Sequence, residues 1–347
     1  MSGQEPDAEA EAPLPIPEGR GDIVDLDKIV DMPGAVQLGR LAHSPADIPW
    51  PGWKQVIRRT FNEMISDRIS LVAAGCAFYA TLALFPAITM LISIYGLVFD
   101  PVTVEPQLQV LQDLLPPPAY QLISDRVHLV VSKPPGALTV GLLISVAVTL
   151  WSTTTGTKSI LGALNLAYEE RERRSFLRFQ TTAISMTLIA LMGAVLGLAL
   201  LVGLPVALDF LGMGALSAVL ARIASVALLL IFVVGSLSLL YRFGPSREQP
   251  RWRWVTPGSV LATVLWLAAS ALFSLYVGHV ASYDTTYGPL GAVAGMMMWF
   301  YVTVYVVLLG AELNAELELQ TVRDSTGGPP KPIGRRGAYV ADHVARG

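Results

Sequence analysis

The chain has 347 residues and a formal net charge of −3; apolar residues make up 53% of it and charged residues only 15%, against about 25% charged in soluble domains. That balance excludes a large soluble α/β domain, and so small a net charge carries no message about partners. A single cysteine, Cys76, excludes an internal disulfide and a cysteine-based metal cluster.

Residues 1–48 are acidic and Pro-rich with few large apolar groups, and read as a disordered cytoplasmic tail. The first 30 residues lack an apolar h-region, so no cleavable signal peptide is expected. Pro49-Trp50-Pro51-Gly52 stops the tail. Apolar residues then recur at Val56, Ile57, Phe61, Met64, Ile65 and Ile69, a helical period. Residues 49–69 therefore read as an amphipathic helix, lying at the membrane interface or packing on the bundle's cytoplasmic end.

Six apolar stretches follow, at 70–99, 137–166, 181–210, 214–240, 255–280 and 289–311. Each reaches the ~20 residues needed to cross a hydrocarbon core about 30 Å thick. The fold class predicted is an all-α integral membrane protein: a bundle of six transmembrane helices over residues 70–320, with an N-terminal interfacial helix. In the first stretch Pro86 removes a backbone donor and predicts a helix kink. Cys76 sits there among Ala73, Ala74, Gly75 and Ala77, as a small packing residue. Residues 100–136 are too long for a turn and predict two short outer helices capping the bundle. Gly193–Gly197 and Gly291–Gly295 have the spacing that lets helices approach closely. Residues 321–347 read as a second disordered cytoplasmic tail.

The 24 basic residues orient the bundle. Seven precede the first stretch: Arg20, Lys28, Arg40, Lys54, Arg58, Arg59 and Arg68. Arg126 and Lys133 alone lie in the long first loop. Four follow the second stretch (Arg171, Arg173, Arg174, Arg178) and four the fourth (Arg242, Arg247, Arg251, Arg253). The third and fifth loops hold none, and the C-terminal tail holds five (Arg323, Lys331, Arg335, Arg336, Arg346). Positive loops stay inside, so both termini are expected in the cytoplasm.

Lys158 and Arg222 fit neither side. Trp151, Thr155, Lys158, Gly162, Asn165 and Glu169 recur at spacings of three and four and share one helix face, with hydroxyls at Ser152, Thr153, Thr154, Thr157 and Ser159. A lysine at the centre of a spanning helix costs about 2.5–3.5 kcal/mol. Lys158, roughly 12 Å from the inner end by helix rise, can snorkel or meet a substrate or counter-ion. Arg222 keeps its charge and needs a partner or water; Asp209, Asp284 and backbone carbonyls are the options. Tyr301, Tyr305, Leu308 and Glu312 share a face of the last stretch, and Glu312 is a candidate to approach Lys158 across the bundle.

Five motifs in order resemble the YihY/virulence factor BrkB family of inner-membrane proteins. They are Ala73-Ala74-Gly75-Cys76-Ala77-Phe78-Tyr79 through Phe85-Pro86; Leu164-Asn165-Leu166-Ala167-Tyr168 with Glu172-Arg173; Tyr241-Arg242-Phe243-Gly244-Pro245; Tyr287-Gly288-Pro289-Leu290-Gly291; and Trp299-Phe300-Tyr301 through Gly310-Ala311-Glu312-Leu313-Asn314-Ala315-Glu316. The resemblance covers about residues 53–320. It departs at Pro289, where serine is common in the family. It implies a six-helix inner-membrane protein with no settled catalytic site. Members of that family have been linked to serum resistance, to envelope lipid export and, by an old label, to ribonuclease BN.

Three function classes follow. A transporter or lipid flippase for an anionic or amphiphilic solute uses the hydroxyl-rich face with Lys158, and Arg222. A non-transporting envelope-integrity scaffold uses the same polar residues to fix helix register. A ribonuclease needs clustered carboxylates or histidines, but His43, His128, His279 and His343 are scattered. No enzyme activity, cofactor, metal or nucleic-acid partner is expected; membrane lipids are. No P-loop is present for ATP-driven pumping.

Overall fold

A computed structural model describes residues 21–22, 35–98, 138–200, 215–279 and 289–345. It is all-helical apart from one minimal two-stranded sheet. Helix α1 spans Trp50–Ser66. Six long helices follow, one in each apolar stretch: α2 Ile69–Val98, α3 Leu138–Ala167, α4 Phe176–Leu198, α5 Ala215–Phe243, α6 Trp252–His279 and α7 Pro289–Leu319. A single turn, α8, spans Tyr339–Asp342. Four helices are long and apolar enough to cross a membrane: Phe176–Gly197 of α4, Val219–Phe243 of α5, Trp252–Tyr276 of α6 and Val293–Leu319 of α7. The bent pair Trp50–Ser66 and Ile69–Leu84 makes a fifth. Helix α3 is 30 residues long.

Each long helix packs on the next, α2 on α3 and so on to α7, and α7 closes back on α2. Helix α7 also touches α1 and α3, so it is the element on which the others converge. Its second half, from Val304, is the covered part. Arg68, with φ of +51°, sits between α1 and α2. Its left-handed backbone ends α1 and turns the chain by 64° into α2.

The core lies at the end of the bundle that carries the chain termini, the near end. In α6 the buried residues are Trp254, Val255, Gly258, Ser259, Ala262 and Thr263, all in its first half. In α7 burial begins at Val304 and continues to Gln320. The apolar cluster of Ile69, Ala73, Cys76, Leu164, Tyr168, Tyr241, Val255, Leu308 and Ala311 joins five helices there. Toward the far end packing thins. On α5, residues 222–224 and 226–228 are all exposed, which covers every side but the one holding Ser225.

Helices α6 and α7 touch backbone to backbone. A Cβ on Gly258 would strike the Gly310 carbonyl oxygen and come within 2.5 Å of Asn314 Nδ2. Nearby, Pro257 breaks the α6 ladder. Asn314 bridges the break: Gly258 N donates to Asn314 Oδ1 at 2.8 Å, and Asn314 Nδ2 donates to the Val255 carbonyl at 3.1 Å.

Several expectations need correction. Residues 321–345 are not a disordered tail: Val322, Asp324, Ser325, Thr326, Arg336, Ala338, Val340 and Ala341 are buried. Residues 35–48 are packed too, with Arg40, Ala42 and Ile48 buried. Their charge and proline content reads as solvation, but the polar groups are satisfied by specific backbone partners. Val322 N donates to the Arg40 carbonyl at 2.9 Å, and Gln320 Nε2 to the Leu38 carbonyl at 2.6 Å. Gly21–Asp22 pairs antiparallel with Val344–Ala345. Gly193 meets the Phe232 ring as a packing glycine should, whereas Gly295 faces open space. The backbone of α2 continues through Pro86; its side chain, the loop helices expected in 100–136, Asp209 and Asp284 lie outside the described side chains or residues.

Gly258→Ala should lower stability by about 1–3 kcal/mol, the usual cost of overpacking a tight contact. Gly295→Ala should not. Thermal unfolding of both variants in detergent checks this pair.

Candidate functional site

Two sets of polar residues occupy the bundle, and they behave differently. The first is the α3 face named above. Two of its hydroxyls bond back onto their own helix: Thr154 Oγ1 donates to the Leu150 carbonyl at 2.6 Å, and Thr155 Oγ1 to the Trp151 carbonyl at 3.4 Å. Thr154 is fully buried, so it lines no opening. Thr155 and Trp151 are exposed and Lys158 is half-buried. Lys158 Nζ lies 5.1 Å from the centre of the Trp151 ring, a cation–π contact. On the same helix, Thr157 shares a hydrogen bond of 2.8 Å with Thr187 of α4, and Ser159 one of 3.2 Å with Cys76 of α2.

The other predicted residues are scattered. Glu312 is wholly buried in the near end of α7. Tyr301 and Tyr305 are neighbours at 6.0 Å between ring centres, and Tyr301 Oη is 2.8 Å from Ser70 Oγ. Arg222 is exposed on the far half of α5. Asn165 is 6% exposed and is spent on structure. Ser246 N donates to its Oδ1 at 2.7 Å, and its Nδ2 donates to Glu172 Oε2 at 3.1 Å. It latches the end of α3 to the loop after α5.

The second set was not anticipated as a unit. It surrounds the last turns of α7, where Glu312, Asn314, Glu316, Glu318 and Gln320 are all at most 1% exposed. Arg247 Nη2 donates to Glu318 Oε1 at 2.8 Å, with both side chains completely covered. The Arg247 guanidinium stacks 4.1 Å from the Tyr168 ring centre, and Ser325 Oγ donates to Glu318 Oε2 at 2.6 Å. Arg59 of α1 donates from Nε to Glu316 Oε2 at 2.6 Å and from Nη2 to Gln320 Oε1 at 2.7 Å. Burial first, and then the charge of Arg59, lower Arg40 to a pKa of about 10, with Glu316 opposing. Arg336 clasps the C-terminal segment through the Ala341 and Val322 carbonyls at 2.6 and 2.8 Å. Tyr339 N donates to Glu170 Oε1 at 2.7 Å.

The sequence signal for this second set is polar residues at alternate positions of one helix, 312 to 320. Alternation by two places them on two opposite sides of a helix, so they need polar partners on both. Among the described residues no group of three or more His, Cys, Asp or Glu could hold a metal ion.

An all-helical membrane protein with a charge-locked near end is thus the class the fold defines. The chain belongs to the virulence factor BrkB family, whose model matches residues 60–333. It is similar to a Bacillus subtilis protein named as ribonuclease-like, YfkH, with 33% identity over 71% of this chain and 88% of that one. It also resembles proteins named UPF0761 membrane protein from Aromatoleum aromaticum (26% identity, 78% of this chain) and Prosthecochloris aestuarii (27%, 73% of this chain). The chain covers 65% and 58% of those two proteins' own lengths. No solved structure matches it.

Glu318→Leu alone should cost about 3–5 kcal/mol, because it leaves Arg247 buried and uncompensated, and adding Arg247→Met should recover much of that. Thermal unfolding of the single and double variants checks the sign. At the exposed rim, Arg174 beside Glu172 holds that carboxyl at a pKa of about 2, below its ordinary 4.5. A lowered acid pKa stabilises the fold above the ordinary value and stops doing so as pH falls toward the folded one. The melting difference between wild type and Glu172→Gln should therefore be full near neutrality and shrink as pH drops from 4.5 toward 2.

Proposed function

We propose that this protein is a six-span inner-membrane transporter or flippase for an anionic or amphiphilic envelope solute, with its near end in the cytoplasm. The single observation that carries the reading is the exposed Trp151–Thr155–Lys158 face of α3. A half-buried lysine and a threonine facing hydrocarbon at that depth would be costly, while a water-filled groove removes the cost. Thin packing at the far half of α5 supports such a groove, and Arg222 there adds a second cation. Two cations in a poorly solvated space favour a negatively charged cargo. The basic loops at the near end support the cytoplasmic placement.

A scaffold without transport is the second reading, favoured by the number of polar residues committed to holding the near end together. A nuclease is not proposed, since Glu316 and Glu318 are already engaged by arginines.

Reconstituted protein should accelerate movement of a fluorescent anionic phospholipid between leaflets, read by a membrane-impermeant quencher. Lys158→Ala should slow that movement at least about tenfold, the effect of losing about 1.4 kcal/mol of favourable interaction, with expression and melting temperature close to wild type. Equal rates in the two proteins would remove Lys158 from the pathway. No acceleration by wild type, for anionic or zwitterionic lipid, would favour the scaffold.

A further inference from the structure

Helix α1 has two faces that separate cleanly. Gly52, Val56, Thr60 and Met64 are buried against the bundle, and Arg59 on that side's edge is tied to Glu316 and Gln320 of α7. The adjoining face, about a third of a turn round the helix, carries large apolar side chains in the open: Trp50 is 65% exposed, Ile57 38%, Phe61 57% and Ile65 79%. Those four recur at spacings of seven, four and four, so they form one stripe along the helix. Charge is segregated in the same way. Lys54 within the stripe, Arg58 beside it and Arg68 just past the end of the helix are exposed, and Lys54 Nζ stands 6.0 Å from the Trp50 ring centre. The only carboxylates of the segment, Glu63 and Asp67, lie on the bundle side of the helix and are not exposed. The 64° bend turns α1 away from the direction of α2, toward the membrane plane if α2 crosses it.

We infer that the Trp50–Ile57–Phe61–Ile65 stripe, with Lys54, Arg58 and Arg68, is a seat on an anionic lipid surface. A protein partner would leave the three cations to be matched by its own carboxylates. A leaflet of anionic lipid supplies both needs at once, acyl boundary for the stripe and headgroup charge for the cations, and it is already adjacent because α1 runs directly into α2. The seat is distinct from the proposed transport path and does not depend on it. Through Arg59 it holds the near end of α7, so the membrane surface and the central helix share one rigid element.

The test uses the full chain in vesicles, in a Cys76→Ala background, with an environment-sensitive fluorophore on Phe61→Cys, Ile65→Cys or Asn62→Cys. Lipid-borne spin labels should quench the Phe61 and Ile65 positions at least about twofold more than Asn62, and aqueous iodide should show the reverse order, as expected of a helix lying in the interface. Adding phosphatidylglycerol to phosphatidylcholine vesicles should blue-shift emission at Phe61, and Lys54→Gln, Arg58→Gln and Arg68→Gln together should abolish that shift. Iodide quenching at Phe61 and Ile65 equal to that at Asn62 would overturn the seat. Shielding of both positions from both quenchers would also overturn it, and would point to a protein contact. A shift that survives charge removal would overturn the anionic preference.

Discussion

The Arg247–Glu318 pair is the constraint from which the near end follows. Removing two charges from water costs several kcal/mol per ion, and mutual attraction offsets this only when geometry and extra hydrogen bonds are complete. Here the contacts come from four parts of the chain: the loop after α5, the last turn of α7, Tyr168 beyond α3, and Ser325 of the C-terminal segment, while Arg247 Nε has no hydrogen-bond partner among the described residues. None of them satisfies the pair alone. The near end therefore forms as a unit or leaves a buried charge exposed to no partner. The same logic extends to Arg59 with Glu316 and Gln320, which adds α1 to the unit.

An asymmetric molecule results. One end is fixed by charges, by the Gly258–Gly310 contact and by Asn314 across the Pro257 break. Little is buried at the other end of α4 to α7 among the described side chains. Motion, if cargo requires it, has its lowest resistance in the far half, where few contacts must be broken. Opening the near end would require parting the Arg247–Glu318 pair, which is sealed from water.

Much of the architecture was legible in the sequence. Each of the six apolar stretches holds one long helix, because length and hydropathy decide helix formation where backbone polar groups must be satisfied internally. Pro49-Trp50-Pro51-Gly52 marks the start of α1, but its period read as one apolar face, whereas Val56 and Met64 are buried and Ile57, Phe61 and Ile65 are exposed. The tails were misread because composition reports average solvation, whereas residues 35–48 and 321–345 are held by individual contacts such as Arg336 with the Ala341 carbonyl. Asn165 and Thr154 were misassigned for a related reason. Helical spacing places a polar residue on a face, but it does not say whether that face meets water or another backbone. Lys158 and Thr155 share their face with Asn165 in sequence, yet only the first two remain accessible.

Solvent access to the α3 face tests the account most directly. With Cys76 replaced by alanine and a single cysteine at Thr155→Cys, a membrane-impermeant thiol reagent added from the far side should modify the protein in intact vesicles, and Lys158→Cys should react more slowly but measurably. Modification only by a lipid-soluble reagent would place this face against hydrocarbon and contradict the groove.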